Sequence, residues 1–339
     1  KCWWKRSRSN NSSNNNNPSR PSGRLLCAVY SHASMYDLAR TAALTWGHHC
    51  DGFFVFGGDA PSVPELGMVQ LIFGHTTQGR GSTTATTTSS NKNNESYQNM
   101  WQKVRAIWAY LHFNYLDDYD YFHLGGDDMY VIPENLRYRL SQKAMELREK
   151  GFDPEETPIF MGQQVPKGGR MGQGQTSYIA GGAGYTLNRA GLEKLVREAL
   201  PDCHVDTNAP YEDRLITSCL GRIGIEPTDS RDPTTGEQTY HGVAPHTLFT
   251  TRVGTKNQKT KKKKRQSFHA NAASSWARQG HPRDSAHVVG LKLGLEAASR
   301  YSVSFHNLFH PVFMVRVHTL LHRHLCPSEM NPVEAEQEY

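Results

Sequence analysis

The stretch from Asp117 to Asn135 (DDYDYFHLGGDDMYVIPEN) constrains the fold of this chain more than any other. An apolar run is followed by Gly125 and Gly126, two carboxylates (Asp127 and Asp128) and a second apolar run, which predicts two buried strands joined by a turn at the glycines. Carboxylates at the tip of a buried strand are rigidly held, and hard divalent cations such as Mn²⁺ or Mg²⁺ take such oxygen ligands. Gly-Gly-Asp-Asp is equally good turn chemistry, so these residues alone favour neither explanation.

Alternating strand and helix patterns predict an α/β domain. Leu25–Tyr30 (LLCAVY) has a strand pattern, a helix pattern runs from about Met35 to Gly47, and apolar runs follow at Phe53–Phe56 and Val69–Phe73. This spacing is typical of a parallel, doubly wound sheet, whose ligands bind beyond the carboxyl ends of the strands. The loop that begins at Ser31 is therefore a candidate nucleotide contact, although an ordinary strand-to-helix connection is the simpler explanation.

A helix pattern precedes the carboxylate stretch. Its apolar residues recur at intervals of three and four, which predicts an amphipathic helix on the sheet. Lys103 falls off the apolar stripe, and a charged face is more often solvated than bound to phosphate. The stripe consists of Met100, Trp101, Val104, Ile107, Trp108, Leu111 and Tyr115.

Three polar or glycine-rich features follow in the second half. Gly181, Gly182 and Gly184 in YIAGGAGYTL leave the backbone open to a ligand, and a tight bend explains them equally well. Glu212 and Asp213 begin a predicted helix, where acids complement the helix dipole or serve as a general base. His306 ends the strand-like YSVSF, and a lone histidine there is more often structural than a ligand.

Composition limits the class of protein. The 339 residues suffice for one large α/β domain or two small ones, and the net charge of +6 comes largely from the run Lys259–Arg265. That run fits a nuclear import signal or a solvated loop, and the rest of the chain predicts no nucleic-acid-binding face. The six cysteines form no CxxC pair that would suggest a zinc site, and they can pair as disulfides if the protein is in an oxidising compartment.

Low-complexity segments divide the chain. Residues 1–23 are predicted to be a disordered stem, residues 24–325 the folded domain, and residues 326–339 a tail. Two inserts interrupt the domain, a Thr/Asn-rich one at 76–96 and a Lys-rich one at 255–266. N-glycosylation sequons, which matter only in the secretory pathway, begin at Asn10, Asn11 and Asn94.

Six segments, in order and at this spacing, resemble the core 1 β1,3-galactosyltransferases of glycosyltransferase family 31. They are RLLCAVYS, MWQKVRAIWAYL, NYLDDYDYF into DDMYVIPENLRYRL, YIAGGAGYTLNRAGL, YEDRLITSCLGRIGIEPTDSRD and SVSFH, and they cover roughly Arg24 to Leu325 outside the inserts. The resemblance implies a GT-A fold, in which a Rossmann-like nucleotide-binding sheet is continuous with an acceptor-binding half. It also implies a type II membrane protein of the Golgi lumen, with an N-terminal anchor outside this sequence and possible assembly as a homodimer.

The resemblance further implies a reaction and its residues. The reaction is an inverting, Mn²⁺- or Mg²⁺-dependent transfer of galactose from UDP-galactose to the GalNAc of a Ser/Thr-linked glycan on a glycoprotein. By position in the matching motifs, the metal ligands are Asp128 and His306 with Asp127, and the base is Asp213 with Glu212 beside it. Donor contacts fall to Tyr30, Ser31, Lys103 and Asp127, acceptor contacts to Gly181, Gly182, Ala183, Gly184 and Tyr185, and disulfides to Cys27–Cys50 and Cys203–Cys219.

One position departs from that family. Gly126 stands where the family has the first aspartate of its metal motif, and the family's aromatic, cysteine-paired acceptor region before SVSFH is unrecognisable. These departures favour a rival hypothesis, a non-catalytic relative that acts as a chaperone or a glycan- or protein-binding module. Retention of Asp128, Asp213 and His306 favours the enzyme. A nucleic-acid-binding protein, the third class, rests on the lysine run alone.

Overall fold

The computed structural model of this chain describes residues 23–58, 68–71, 97–165, 177–246 and 298–325. The predicted stem (apart from Gly23), both predicted inserts and the predicted tail lie outside those ranges. Within them, no helix is both long enough and apolar enough to cross a membrane.

A six-stranded mixed sheet carries the described domain. Its strands are β1 (Leu25–Tyr30), β2 (Gly52–Gly57), β3 (Met68–Gln70), β4 (Tyr121–Gly126), β6 (Phe160–Val165) and β7 (Tyr178–Asn188). They lie in the order β3-β2-β1-β4-β7-β6, with the first four parallel and β7 antiparallel to both of its neighbours. The predicted α/β class is confirmed, and the sheet is mostly but not wholly parallel.

A second, three-stranded sheet lies next to the end of β4. It consists of β5 (Tyr130–Val131), β8 (Tyr240–His241) and β9 (Ser304–Phe305), in the order β5-β9-β8. Strand β9 is antiparallel to β5 and parallel to β8. A late segment of the chain is thereby paired to the strand that directly follows the carboxylates.

Six helices surround the sheets in the described ranges. They are α1 (Tyr36–Leu44), α2 (Met100–Tyr115), α3 (Pro133–Glu149), α4 (Arg189–Lys194), α5 (Glu212–Arg222) and α6 (Pro311–Leu325). Helix α4 continues as irregular helical turns to Asp202. Helix α2 matches the range of the predicted amphipathic stripe, because that stripe packs on the sheet.

Two hydrophobic cores lie on opposite faces of the large sheet. The side chains of β1 point alternately into one core and into the other, since successive side chains of a strand lie on opposite faces of the sheet. Leu26 and Ala28 pack with α2, α4 and α5, while Leu25, Cys27 and Val29 pack with α1, α3 and α6. Each fully buried side chain of this kind contributes about 1.5–3 kcal/mol. Strand β1 is buried on both sides, as a doubly wound sheet requires.

The predicted turn at Gly125 and Gly126 is wrong. Both glycines belong to β4 and pair with Val29 and Tyr30 of β1. Gly125 is needed for packing, because a Cβ there would collide with Met129 and lie 2.9 Å from the Cα of Gly184. The chain turns only after the strand, so the two carboxylates follow its end directly.

Two other local predictions differ from the structure. The stretch YIAGGAGYTL is a strand and not a bend, since β7 pairs on both sides. The segment Gly224–Asp232, in which Ile225 lies between turn residues and could suggest a strand, makes only an isolated bridge between Thr228 and Met161. Its backbone is fixed instead by single contacts, such as the amide of Thr228 that donates to the carbonyl of Phe160 at 2.7 Å.

Both expected disulfides are present. Cys27 of β1 is bonded to Cys50, directly before β2, and Cys203 is bonded to Cys219 of α5. They close loops with sequence separations of 23 and 16 residues. Loops of that size restrict the unfolded chain by about 3 kcal/mol each in the chain-entropy account.

Candidate active site

The carboxyl ends of β1 and β4 lie side by side, and the residues that follow them form one polar cluster. The hydroxyl of Ser31 donates to Oδ2 of Asp127 at 2.5 Å, and Nζ of Lys103 donates to the backbone carbonyl of Ser31 at 2.5 Å. Lys103 is only 4% exposed, so the expectation of a solvated lysine is wrong. Lysine is rarely buried without partners, and here it places a positive charge at the strand ends.

The pKa of Asp127 lies near neutral pH. The pKa of Asp127 is raised to about 7, chiefly by burial and also by the charge of Asp128, while the hydrogen bond from Ser31 and the charge of Lys103 oppose the rise. A carboxyl group with this pKa changes charge in response to a nearby cation. The cluster of Ser31, Lys103 and Asp127 therefore lies where donor contacts were predicted, and its groups are electrostatically coupled.

Asp128 and His306 form a second pair beside this cluster. Oδ2 of Asp128 lies 3.1 Å from Nε2 of His306. The small sheet brings them together, because β9 ends one residue before His306 and pairs with β5, which begins two residues after Asp128. The amide of Leu308 also donates to the carbonyl of Asp128 at 2.9 Å. The predicted metal ligands, far apart in the sequence, are neighbours in the fold.

This pair fits a divalent cation chemically. A carboxylate oxygen and an imidazole nitrogen suit Mn²⁺, and a backbone carbonyl commonly orients the other nitrogen of a metal-binding histidine. Burial lowers the pKa of His306, but the Asp128 carboxylate and the carbonyl of Gly242 outweigh it, so the pKa is raised. Oδ2 of Asp127 is held by Ser31, which leaves Asp128 and His306 as the residues best placed to hold the ion.

The two acids at the start of α5, Glu212 and Asp213, have different surroundings. Glu212 is 4% exposed, and its two carboxylate oxygens accept hydrogen bonds from Tyr30 and Tyr185, each at 3.2 Å. Burial and the neighbouring Asp213 raise the pKa of Glu212 well above its usual range. Glu212 therefore anchors the two tyrosines, and it does not present a free oxygen to a substrate.

Asp213 is the more accessible of the two acids. Its Oδ2 accepts a hydrogen bond from the amide of Gly181 at 3.0 Å, and its Oδ1 accepts one from the amide of Arg214 at 2.8 Å. Burial raises the pKa of Asp213, although both amides oppose this. A carboxylate with a raised pKa that keeps access to solvent is suited to accept a proton.

The glycines of β7 make room for these groups. A Cβ on Gly181 would lie 2.5 Å from Oε1 of Glu212, and one on Gly182 would collide with the imidazole of His306. Gly184 has a φ of +71°, a conformation that glycine adopts without strain. The glycines that predicted a close ligand approach are thus packed against the site's own residues. Tyr185 is buried and Ala183 accepts from Ser304 at 2.6 Å, so the predicted acceptor contact with this segment stays a prediction.

Gly126 is closely surrounded as well. A Cβ at this position would lie 2.9 Å from Oδ1 of Asp128 and 3.5 Å from the ring of Tyr30. A side chain here requires the Asp128 carboxylate to move. The absence of a side chain at Gly126 thus leaves the Asp128 carboxylate in its present position.

Sequence reasoning missed one aromatic residue near the acids. Burial and the carboxylates of Asp213, Glu212 and Asp128 raise the pKa of Tyr97, which lies just before α2. Its side chain is only partly covered by the protein. No local pattern marks Tyr97, because its proximity to the acids depends wholly on how α2 packs.

Comparison with known proteins shows similarity to a curated galactosyltransferase. No protein-family model matches the chain. A stretch of 145 residues is 32% identical to a Xenopus laevis protein, over 43% of this chain and 35% of the relative. The chain therefore matches only about a third of the length of that relative. The relative to which this stretch is similar is glycoprotein-N-acetylgalactosamine 3-beta-galactosyltransferase 1.

Proposed function

We propose that this chain is an inverting, metal-dependent β1,3-glycosyltransferase. Its donor would be a UDP-sugar, with UDP-galactose the first choice, and its acceptor a glycoprotein O-glycan such as Ser/Thr-linked GalNAc. One observation carries the proposal: consecutive glycines of β7 contact the candidate base and the candidate metal ligand. Gly181 donates to Asp213, and Gly182 packs against His306. Since neighbouring Cα atoms are about 3.8 Å apart, the two groups lie within roughly 10 Å of each other.

The proposed reaction is a single displacement at a sugar carbon. The acceptor hydroxyl attacks the anomeric carbon, the bond from that carbon to the phosphate oxygen breaks, and Asp213 takes the hydroxyl proton. One base is sufficient for inversion, because no covalent sugar–enzyme bond forms. Its raised pKa makes Asp213 a stronger base than an exposed aspartate.

The remaining residues position these groups. A divalent cation held by Asp128 and His306 would supply neutralisation of the charge that develops on the leaving UDP. Lys103 holds the carbonyl of Ser31, and the Ser31 hydroxyl holds Asp127, so a chain of contacts fixes the edge where nucleotides bind in doubly wound sheets. Glu212 fixes Tyr30 and Tyr185 beneath the base.

The similarity to a galactosyltransferase supports the class of reaction. The two disulfides support synthesis in an oxidising compartment, as expected for a Golgi-lumenal enzyme. Donor sugar, acceptor and location are part of the proposal.

Gly126 favours a second candidate, a non-catalytic binding module of the same fold. An aspartate here would place its Cβ 2.9 Å from Oδ1 of Asp128, so the Asp128 carboxylate would have to shift. In this alternative the domain recognises a glycoprotein without UDP turnover.

Calorimetry with UDP, in the presence and absence of Mn²⁺, separates the two candidates. We expect UDP binding that depends on Mn²⁺ and that is lost in His306→Ala. The Asp213→Asn variant should keep UDP binding while losing galactose transfer to a GalNAc-peptide by at least about 100-fold. Asp229→Asn, which alters an exposed pair with Arg231, is the matched control and should behave as wild type.

Two outcomes would contradict the proposal. Transfer that survives in a folded Asp213→Asn protein would show that Asp213 is not the base. Absence of UDP binding by the folded wild-type protein under both conditions would favour the binding module.

A further inference from the structure

We propose that His49, His318 and His322 form a second metal site, for Zn²⁺ or a chemically similar transition metal, on the side of the domain where α6 meets α1. One ligand nitrogen from each of the three histidines lies within 4.8 Å of the others. The ring centroids are 4.2 Å apart for His318 and His322, 4.7 Å for His49 and His322, and 5.9 Å for His49 and His318. This inference does not depend on the proposed transferase activity.

The backbone provides the placement. His318 and His322 are four residues apart on α6 and therefore share one face of the helix. His49 is the last residue of the short turn Gly47–His49 that follows α1. Metal-binding histidine pairs commonly use this helical spacing, with a third ligand supplied by another element.

Two of the histidine rings are also oriented by hydrogen bonds to residues outside the cluster. Nδ1 of His49 lies 2.8 Å from Oε1 of Glu134, and Nδ1 of His318 lies 3.0 Å from the hydroxyl of Tyr130. A carboxylate only accepts, so Nδ1 of His49 carries the proton and Nε2 keeps its lone pair for a metal. The Tyr130 oxygen can accept in the same way once Nε2 of His318 is coordinated. A hydrogen-bonded partner behind each ligand is the arrangement that metal-binding histidines show.

The cluster also favours neutral imidazoles, which metal coordination requires. Burial and the neighbouring histidines lower the pKa of His318 to about 4 and lower the pKa of His322. The groups that face the cluster are His48, Glu134 and Tyr130. Glu134 supplies one negative charge near the site.

The donor set determines the class of metal. Three imidazoles suit Zn²⁺, Ni²⁺ and Cu²⁺ better than Mg²⁺ or Mn²⁺, so this site differs from the Asp128–His306 pair. Zinc with three histidine ligands takes a fourth position from water or a further side chain, and the ring of His48 is 4.2 Å from that of His49. The other histidine–cysteine group in the described ranges, at Cys203, His204 and Cys219, is unavailable because both thiols are in a disulfide.

A metal at this position would connect three parts of the fold. His49 adjoins Cys50 of the first disulfide, Glu134 lies in the first turn of α3 shortly after β5, and α6 follows β9 and His306. The ion would fasten α6 to the turn after α1. By this route it would also stabilise the pairing of β5 with β9.

Metal titration of the chelator-stripped protein tests the proposal. We expect one equivalent of Co²⁺ to give the intense visible absorption of a four-coordinate site and to be displaced by Zn²⁺. X-ray absorption of the Zn²⁺ form should show imidazole nitrogens at about 2.0–2.1 Å. Zn²⁺ at 100 times its Kd should raise Tm by about 5 °C.

Substitutions distinguish the histidines that would bind the metal from Glu134, which orients one of them. His322→Ala and His318→Ala should each weaken Zn²⁺ binding by at least about 100-fold, and Glu134→Gln should weaken it by about 10–100-fold without removing a ligand. Asp128→Asn should leave Zn²⁺ binding unchanged, because it belongs to the other site. His246→Ala is the matched control, because the His246 ring lies outside the cluster, with its centroid 6.3 Å from that of Phe313.

Two results would overturn the inference. One is a folded wild-type protein, checked by circular dichroism, that binds no Zn²⁺ at micromolar concentration and neutral pH. The other is unchanged Zn²⁺ affinity in both His318→Ala and Glu134→Gln. The Glu134→Gln variant preserves side-chain shape, so the test does not depend on whether an alanine variant of α6 folds.

Discussion

Gly182→Ala is the substitution that best tests how the candidate site is assembled. A Cβ on Gly182 would lie 2.6 Å from Cε1 and 2.9 Å from Cγ of His306, whereas carbon atoms pack at about 3.5–4.0 Å. The imidazole would therefore have to move by roughly 1 Å. It is held on its other side by the 3.1 Å contact with Asp128, and its backbone amide donates to the carbonyl of His241 at 3.0 Å.

The cost follows from those contacts. Overpacking of a buried site typically costs about 1–3 kcal/mol of unfolding free energy, and a shift of 1 Å separates His306 from Asp128. We expect urea denaturation to show that loss and calorimetry to show Mn²⁺-dependent UDP binding weakened by at least about 10-fold. The two effects have one cause and should appear together.

Gly221→Ala provides the matched control. Gly221 lies in α5, and no atom lies within 4 Å of a Cβ built there. Alanine should stabilise the helix by about 0.5–1 kcal/mol and leave UDP binding unchanged. If Gly182→Ala also proves neutral in both assays, His306 does not pack against β7 as described and the reasoning is refuted.

Three further predictions concern the same region and the disulfides. Burial raises the pKa of Asp127 from 3.8 to about 7, so between those pH values the folded protein binds one proton that the unfolded protein does not. Its unfolding free energy therefore falls by up to about 4 kcal/mol as the pH rises from about 4 to 7. The Asp127→Asn variant should show a smaller change in unfolding free energy over this pH range, and an unchanged slope would refute this prediction. The Lys103→Met variant lacks the hydrogen bond to Ser31, so its unfolding free energy in urea denaturation should be lower by about 1–3 kcal/mol and its UDP binding weaker. If the variant binds UDP normally, Ser31 and Lys103 do not belong to the donor site. Replacing Cys203 and Cys219 by serine should lower the unfolding free energy by about 3 kcal/mol, with no effect on the Kd for UDP in the protein that remains folded.

Local pattern predicted those elements whose residues repeat regularly. Strand β1 and helix α2 have the predicted bounds, because a continuous apolar run and a spacing of three and four residues are each tied to one backbone geometry. The order of β7, β6 and β9 in the sheets was not predictable, since pairing depends on partners far away in the chain.

The failures share a physical cause. Lys103 was placed on a solvated face, yet the carbonyl that it binds belongs to a loop 72 residues earlier. Arg139 of α3 is likewise a charged residue, yet it is buried and donates to the carbonyls of Asp229 and Ser230. A charged residue is buried when a distant backbone carbonyl satisfies it, and no window of local sequence contains that carbonyl.

The candidate site was predicted in its residue types and not in its geometry. The resemblance to known glycosyltransferases pointed to Asp128, Asp213 and His306 as a set. It gave no reason for Gly181 and Gly182 to be packed against the acids and the histidine. The histidine cluster was not foreseen, because His49 is far in sequence from the helix that carries its partners.

The position of β9 has a consequence for the order in which this protein becomes competent. The six strands of the large sheet all lie between Leu25 and Asn188, so that sheet can form before the residues that follow Asn188 are made. His306 comes more than a hundred residues after its last strand and reaches Asp128 only when β9 pairs with β5. A nascent chain would pass through a stage with a folded sheet and an incomplete cation site. Competence for metal would then report that the late segment has docked, which makes metal binding a measure of completed folding.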